Sequence, residues 1–326
     1  MLAGGSRVHR PATAMKHIVL FIAALALALG ASAQTSLIAT LSHNGEVTTY
    51  YNSNAFTEAY NAAVDGDIIT LSSGTFAAPR IEKSLTIRGA GMEAENDPTI
   101  ISTAMTVDLK SENSTVDFDG LILSDVFTCG KGNNNFAKCR IKKFESSTNA
   151  CNIAFINCIC DIYRVHSQQN ITAVNSFFAN GYTFYGNYTN CILNLKDSAS
   201  DDKKASYSNC IFYSSKSYVL SASNVRNCVY VGPNENFFNP SYISILSNSL
   251  SFPADAPIFK EGTTTYELTE ENAANWLGSD GTQVGMHGGP LPFDPNTTLP
   301  KITKFNVASK TTADGKLAVD IEVNVQ

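Results

Sequence analysis

Apolar and polar positions alternate in short runs along most of this chain, and the runs repeat. Ile68-Ile69-Thr70-Leu71, Leu85-Thr86-Ile87, Ile100-Ile101, Val116-Asp117-Phe118 and Leu121-Ile122-Leu123 are β-rich segments bounded by Gly, Asp or Ser. Farther on a more specific unit appears: Cys158, Cys191, Cys210 and Cys228 each follow an Asn and precede Ile or Val. Cys139 sits in a looser copy, Ala137-Lys138-Cys139-Arg140-Ile141, and Ser176 replaces the cysteine in Asn175-Ser176-Phe177. The unit recurs every 15 to 19 residues, a period that predicts a solenoid in which each circuit is one coil of a parallel β-helix. Equivalent residues then stack about 4.8 Å apart. Asn157, Asn175, Asn190, Asn209 and Asn227 are expected to form one ladder at a sharp turn, because Asn tolerates the left-handed backbone region that costs most side chains about 1–2 kcal/mol. Stacked amides could also bond to one another along the axis.

The neighbouring cysteines are expected to point inward as small buried hydrophobes in a narrow core. A one-residue slip would exchange them with Ile159, Ile192, Ile211 and Val229, so the register stays open at this point. Parallel neighbours hold their β-carbons somewhat farther apart than disulfide geometry prefers, which favours free thiols. A bridge from Cys158 or Cys160 to a neighbouring coil is the alternative.

Ahead of the coils lies one helical pattern. Phe56, Ala59, Tyr60 and Ala63 fall at helical spacing, with Asn54 as the expected cap, Glu58 in the first turns and Asp65-Gly66-Asp67 as the stop. Such a helix would cover the open end of the solenoid. The stretch Ala55 to Phe76, AFTEAYNAAVDGDIITLSSGTF, resembles the capping helix and first coil of right-handed β-helix proteins of the pectin-lyase-like superfamily. Lys83 to Gly91, KSLTIRGAG, resembles their second coil. The resemblance covers roughly residues 50 to 260 and implies an all-β, right-handed parallel β-helix. It implies no single activity, since this fold hosts lyases, hydrolases, esterases and non-catalytic adhesins. A leucine-rich repeat also places Asn or Cys in each unit, but no Leu-x-x-Leu-x-Leu run precedes Asn157, Asn190 or Asn209.

The expected organisation is a β-helix with its cap over 34–265 and a C-terminal tail over 266–326. Prolines accumulate from Phe252, and Gly278 to Gly281 and Gly285 to Pro290 read as irregular chain. This stretch resembles the closing segment of exported β-helix proteins from Bacteroidetes. Ile302 to Val307 and Leu317 to Val325 then read as a hairpin around Asp314-Gly315.

Composition narrows the function. The chain has 326 residues, 44% hydrophobic and 16% charged, which is enough for a large core. A net charge of -6 and a pI near 5.4 leave no broad basic surface, so nucleic acid and acidic membranes are not expected partners. Lys16 and His17 precede an apolar run from Ile18 to Leu29, and Ala31-Ser32-Ala33 suits a signal peptidase. Residues 1–33 are thus read as a cleavable leader with Met15 as the natural start and residues 1–14 as an over-extension. Gln34 becomes the first mature residue. The expected location is the periplasm, the outer surface or the extracellular medium, as a monomer with no transmembrane segment in the mature chain. With no cysteine just after the cleavage site, a lipid anchor is not expected.

Several constellations could carry chemistry. A hydrolase of the polygalacturonase type needs several Asp carboxylates on adjacent coils. Here Arg140-Ile141-Lys142 precedes Asp201-Asp202, the reverse of that family's order. A lyase needs a base near a uronate: Arg140, Lys142 and Asp161 are the catalytic candidates, with calcium the one cofactor considered and Asp117, Asp119 and Asp125 its candidate ligands. A solvated ladder of charges explains the same residues. His43, His166 and His287 are dispersed, and Cys158-Ile159-Cys160 is one residue short of a CxxC pair. Gly130-Lys131-Gly132 lacks the other elements of a phosphate loop and reads as a turn. Asp197-Ser198-Ala199 resembles a Bacteroidetes O-glycosylation site. Asn180 to Asn190, NGYTFYGNYTN, offers Tyr182, Phe184, Tyr185 and Tyr188 among amides, a combination that suits sugars. Core stacking would account for half of those rings. The expectation is an exported, non-catalytic β-helix that contacts glycans or another cell-surface component. The alternatives are a polysaccharide lyase or glycoside hydrolase acting on acidic polysaccharides, and a passive structural spacer.

Overall fold

The computed structural model describes residues 37–93, 97–146, 151–165, 170–181, 184–196, 205–296, 301–307, 315–316 and 319–324. The leader predicted over 1–33 lies outside them. The chain winds as a right-handed parallel β-helix of about nine turns with two sheets as walls. Sheet I runs through Ile68–Leu71, Thr86–Arg88, Thr115–Asp119, Gly132–Ala137, Cys151–Ile156, Asn170–Val174, Asn187–Thr189, Ser206–Ser208, Ala222–Arg226 and Ile243–Ser247. Sheet II runs through Gly74–Phe76, Thr99–Ile101, Leu121–Cys129, Arg140–Ser146, Ile159–Cys160, Phe177–Gly181, Ile192–Leu195, Ile211–Tyr213, Val229–Val231 and Leu250–Phe252.

The corner from sheet I to sheet II explains the repeat. Gly120, Lys138, Asn157, Asn175, Asn190, Asn209, Asn227 and Asn248 occupy it, all with φ between 48° and 65°. Each corner N–H from Lys138 to Asn227 donates to the carbonyl just before the next corner, from Lys138 to Ile156 through Asn227 to Ser247, at 2.9–3.2 Å. The following side chain turns inward and donates back to the carbonyl two residues earlier. Cys139, Cys158, Cys191, Cys210 and Cys228 do so at 3.2–3.3 Å, and Ser176 does so at 2.8 Å with its hydroxyl. Thiol and hydroxyl interchange because both are small donors. The ladder amides do not bond one another: Asn175 and Asn209 direct their side chains to residues 279–288.

Inside the coils, aromatic rings stack in two columns that meet edge to face. Phe118, Phe136 and Phe155 stack at 5.1 and 5.3 Å, and Phe127, Phe144, Tyr163 and Phe184 at 5.3–5.9 Å. Parallel in-register pairing places the rings of successive coils above one another.

The N-terminal end is closed as expected by a helix, α1 (Ala55–Ala62), which buries Phe56, Ala59 and Tyr60. Asn54 sits at the N-cap position but makes no side-chain cap bond. Asn52 fixes the entry to the helix instead, its side chain accepting the Asn54 N–H at 2.6 Å. At the other end Lys83 donates to the carbonyls of Tyr60 and Ala63, both at 2.7 Å, placing a cation where the helix dipole is negative. An antiparallel hairpin, Ile38–His43 and Glu46–Tyr51, turns at Asn44-Gly45 and pairs onto Ile68–Leu71. The buried Asp67 joins these parts, accepting from Val64 N–H at 2.8 Å and meeting His43 Nδ1 at 2.7 Å.

Beyond Phe252 the chain folds back as a strap over the outer face of sheet II. Ile159, Phe177, Ile192, Ile211 and Val229, each two residues past a corner, point outward and are buried against Leu268, Trp276, Val284, Met286 and Phe293. The strap includes a short helix, α2 (Glu270–Asn275), whose N-terminal Asn272 N–H is accepted by the Thr269 hydroxyl at 3.2 Å. Lys138 pairs with Asp294 at 2.9 Å near its end. Lys301–Val307 and Val319–Asn324 pair as a separate antiparallel hairpin.

Two outcomes follow. Cys210→Ser keeps the donor and is expected to change stability by under about 1 kcal/mol, whereas Cys210→Val loses the bond, overpacks the corner and costs about 1–3 kcal/mol in denaturant unfolding. Burial alone would raise the Asp67 carboxyl, but the Val64 N–H, the His43 ring and the Lys83 charge hold it below the usual carboxylate range. A carboxyl lowered by folding stabilises above its unfolded pKa, and that contribution is lost as pH falls through the folded value. Urea midpoints of the wild type are therefore expected to fall more steeply than those of Asp67→Asn below about pH 4.

Candidate lateral binding face

With the strap lying over the corner side of sheet II, sheet I presents an open wall of the solenoid. Its strands alternate, so residues flanking each inward ring face outward. Around Phe136, Phe155, Ala173, Tyr188 and Tyr207 the outward positions are Asn135 and Ala137, Ala154 and Ile156, Thr172 and Val174, Asn187 and Thr189, Ser206 and Ser208. Asn133, Asn152 and Asn170 extend the face on one side. Every one of these outward positions is neutral. Among the described residues at outward positions of these strands, charge returns with Arg88, Asp117 and Asp119 before this stretch and with Arg226 after it. Five strands at about 4.8 Å make the neutral field about 19 Å long.

The field has internal order. Asn152 donates to Asn133 at 2.7 Å, Asn133 to Thr115 at 3.1 Å and Asn135 to Asp117 at 2.8 Å. Beyond this chain of bonds, Asn170, Thr172, Asn187 and Thr189 are exposed. Ile156 is 46% exposed and stacks in register with Val174, beside Ala154. The result is a narrow apolar strip bordered by amides and hydroxyls. A ligand with both C–H patches and hydroxyls finds complementary partners there.

The aromatic residues expected to bind sugar are placed differently. Phe184 and Tyr188 lie wholly inside the coil, because the alternation that turns Asn187 and Thr189 outward turns Tyr188 in. The Tyr188 hydroxyl meets Tyr163 Oη at 2.9 Å and donates to the Tyr185 carbonyl at 3.0 Å; burial pushes it well above the usual tyrosine range. Tyr185 is half-buried against the core. Tyr182 lies outside the described residues, as do His166 and the segment 197–204 that holds Asp197-Ser198-Ala199 and Asp201-Asp202.

The charged candidates lie on sheet II. Arg140 and Asp161, on adjacent coils, meet at 3.4 Å. Nearby, Tyr266 of the strap stacks its ring on Phe177 at 3.5 Å, and burial, with the Asp161 charge beside it, pushes its hydroxyl up against the opposing charge of Arg140. Lys142 stands exposed at a register irregularity of its strand. Glu145 bridges Lys143 and Arg164 at 2.8 and 3.5 Å, completing a ladder of ion pairs. The three aspartates considered for calcium do not gather. Asp117 and Asp119 face outward from sheet I, whereas Asp125 lies in a sheet II strand and accepts from Val126 N–H at 2.8 Å. Among the described residues no group of three His, Cys, Asp or Glu side chains is placed to hold a metal ion. His287 bonds the Thr265 carbonyl at 2.7 Å. No helix among the described residues is long and apolar enough to cross a membrane.

No family model, curated protein or solved structure matches the chain.

The placement of Tyr188 has a measurable consequence. Tyr188→Ala is expected to destabilise the fold by about 3–5 kcal/mol and Tyr188→Phe by about 1 kcal/mol, while Asn187→Ala, one residue away, stays within about 0.5 kcal/mol. Guanidinium unfolding of the three variants reads the difference.

Proposed function

We propose that this chain is an exported, non-catalytic β-helix protein of the pectin-lyase-like superfamily and of Bacteroidetes type, whose sheet I face contacts neutral glycans at the cell surface or beyond it. The leader-like segment from Lys16 to Ala33 supports export, and the sequences from Ala55 to Phe76 and from Lys83 to Gly91 support the superfamily. The observation that carries the glycan reading is the uncharged strip of Ala154, Ile156 and Val174 edged by Asn152, Asn170, Thr172, Asn187 and Thr189. Sugar rings offer apolar faces ringed by hydroxyls, and this strip answers both without a charge to desolvate. Its length along the axis suits an extended polymer better than a single sugar. A polysaccharide lyase would draw on Arg140, Lys142 and Asp161; Arg140 is already engaged by Asp161, and the non-catalytic reading is preferred on that ground.

The test is retention of the full chain on insoluble neutral polysaccharides and on a glycan array. Wild-type protein is expected to bind at least one neutral glycan, and Thr172→Glu with Asn187→Glu to weaken that binding at least about tenfold, or about 1.4 kcal/mol, with unfolding midpoints unchanged. Binding that survives both substitutions would remove the sheet I face from the account. Failure to bind any glycan would leave the spacer reading, and release of unsaturated uronate from acidic polysaccharides would establish the lyase reading instead.

A further inference from the structure

Six of the eight cysteines donate to a carbonyl two residues away. Cys139, Cys158, Cys191, Cys210 and Cys228 donate to corner carbonyls, and Cys160 donates to the Ile162 carbonyl at 3.3 Å. Cys129 and Cys151 meet one another across the two sheets. Their sulfur atoms lie 3.1 Å apart, both buried, although neither is the other's register partner. Cys129 ends a sheet II strand and pairs with Val107 below it and Ser146 above it. Cys151 begins a sheet I strand and stacks over Gly132.

That placement makes the two side chains converge. Cysteines stacked in one ladder hold parallel β-carbon vectors about 4.8 Å apart, wider than the roughly 3.8 Å a disulfide prefers. Cys129 and Cys151 instead approach from different sheets, across the interior beside the return turn. Gly132, the register partner of Cys151, carries no side chain, and Ser146, the partner of Cys129, carries a small one. A β-carbon on Gly132 would already stand 2.6 Å from Leu109.

We propose that Cys129 and Cys151 are a site of oxidative cross-linking, closing a disulfide staple around one full coil. The 22-residue separation encloses the strands Gly132–Ala137 and Arg140–Ser146. With oxidised glutathione as the disulfide oxidant, Cys151 thiolate attacks one glutathione sulfur and expels a glutathione thiolate. Cys129 thiolate then attacks Cys151 Sγ and expels the second. The protein loses two electrons and two protons, one glutathione S–S bond breaks, one protein S–S bond forms and two glutathione thiols are released. Both sulfurs are sealed from solvent in the folded coil, so the exchange takes place while the coil is closing.

The full chain, refolded from guanidinium in a glutathione redox buffer, alkylated under denaturing conditions and digested without reductant, gives the test. The expected product is a linked peptide pair carrying Cys129 and Cys151, with the other six cysteines alkylated. Reductant is expected to lower the Tm of this oxidised form by several degrees and to leave Cys151→Ser unmoved. Should Cys151→Ser not fold, the peptide map of the wild type decides alone. Alkylation of all eight cysteines, or a linkage confined to the ladder thiols, would overturn the assignment, as would an oxidised form whose Tm ignores reductant.

Discussion

The left-handed corner between the two sheets is the constraint on which the rest of this molecule depends. A strand entering the corner must reverse its course within one residue, and the backbone it uses there is one that most side chains resist by about 1–2 kcal/mol. Asn tolerates it, and the cost is offset by two repeating bonds. One runs along the axis from each corner N–H to the carbonyl before the next corner; the other returns from the inward thiol or hydroxyl to the carbonyl two residues earlier. Because both bonds recur coil after coil, a one-residue slip at any corner would misplace its neighbours on both sides. Lys138 adopts the same backbone with φ 51° although it is not Asn, and its amine is the group that reaches Asp294.

Fixing the corner also fixes what each wall shows to solvent. The residue two past the corner faces outward on sheet II, and in this chain it is Ile, Phe or Val at five successive corners from Ile159 to Val229. A wall of that kind needs a cover, and the strap from residue 253 to 296 supplies one. It is held by polar contacts to the corners themselves: Ser279 to Asn209, the Met286 and Gly288 carbonyls to Asn175, Asp294 to Lys138. The ladder thus both turns the chain and anchors its continuation. Sheet I has Asn, Thr and Ser at most of the corresponding outward places and needs no cover.

How much of this could be read from the sequence follows from whether the signal was local. The corner was legible, since Asn, a small donor and an aliphatic residue recur in adjacent positions. Asn248-Ser249-Leu250 continues the series, and it escapes a reading keyed to cysteine because the shared property is the donor rather than sulfur. Asn44-Gly45 is a strong hairpin dipeptide, and the N-terminal hairpin it makes was equally open to inspection. Counting back from the Asn190 corner in steps of two would have turned Tyr188 inward and Asn187 and Thr189 outward; the Tyr188 ring belongs to the core side of its strand. The docking of the strap and the approach of Cys129 to Cys151 had no such signal. Asn175 meets Met286 across 111 residues, and only the packed fold brings such partners together.

The proposed specificity for neutral glycans rests on the same division of walls. An acidic polymer carries a charge on every repeat and would require cations spaced along the face, since each unpaired carboxylate brought to a protein surface loses hydration that neutral amides restore only in part. Among the described residues, Arg140, Lys143 and Arg164 of the middle coils are on sheet II and paired with Asp161 and Glu145, and Lys142 stands exposed on that same wall. Across the uncharged stretch of sheet I there are amides, hydroxyls and the apolar side chains of Ala137, Ala154, Ile156 and Val174, at a spacing set by the strand repeat rather than by any one residue. Affinity on such a face would come from many weak contacts in series, so it would grow with the length of the glycan that the wall can follow.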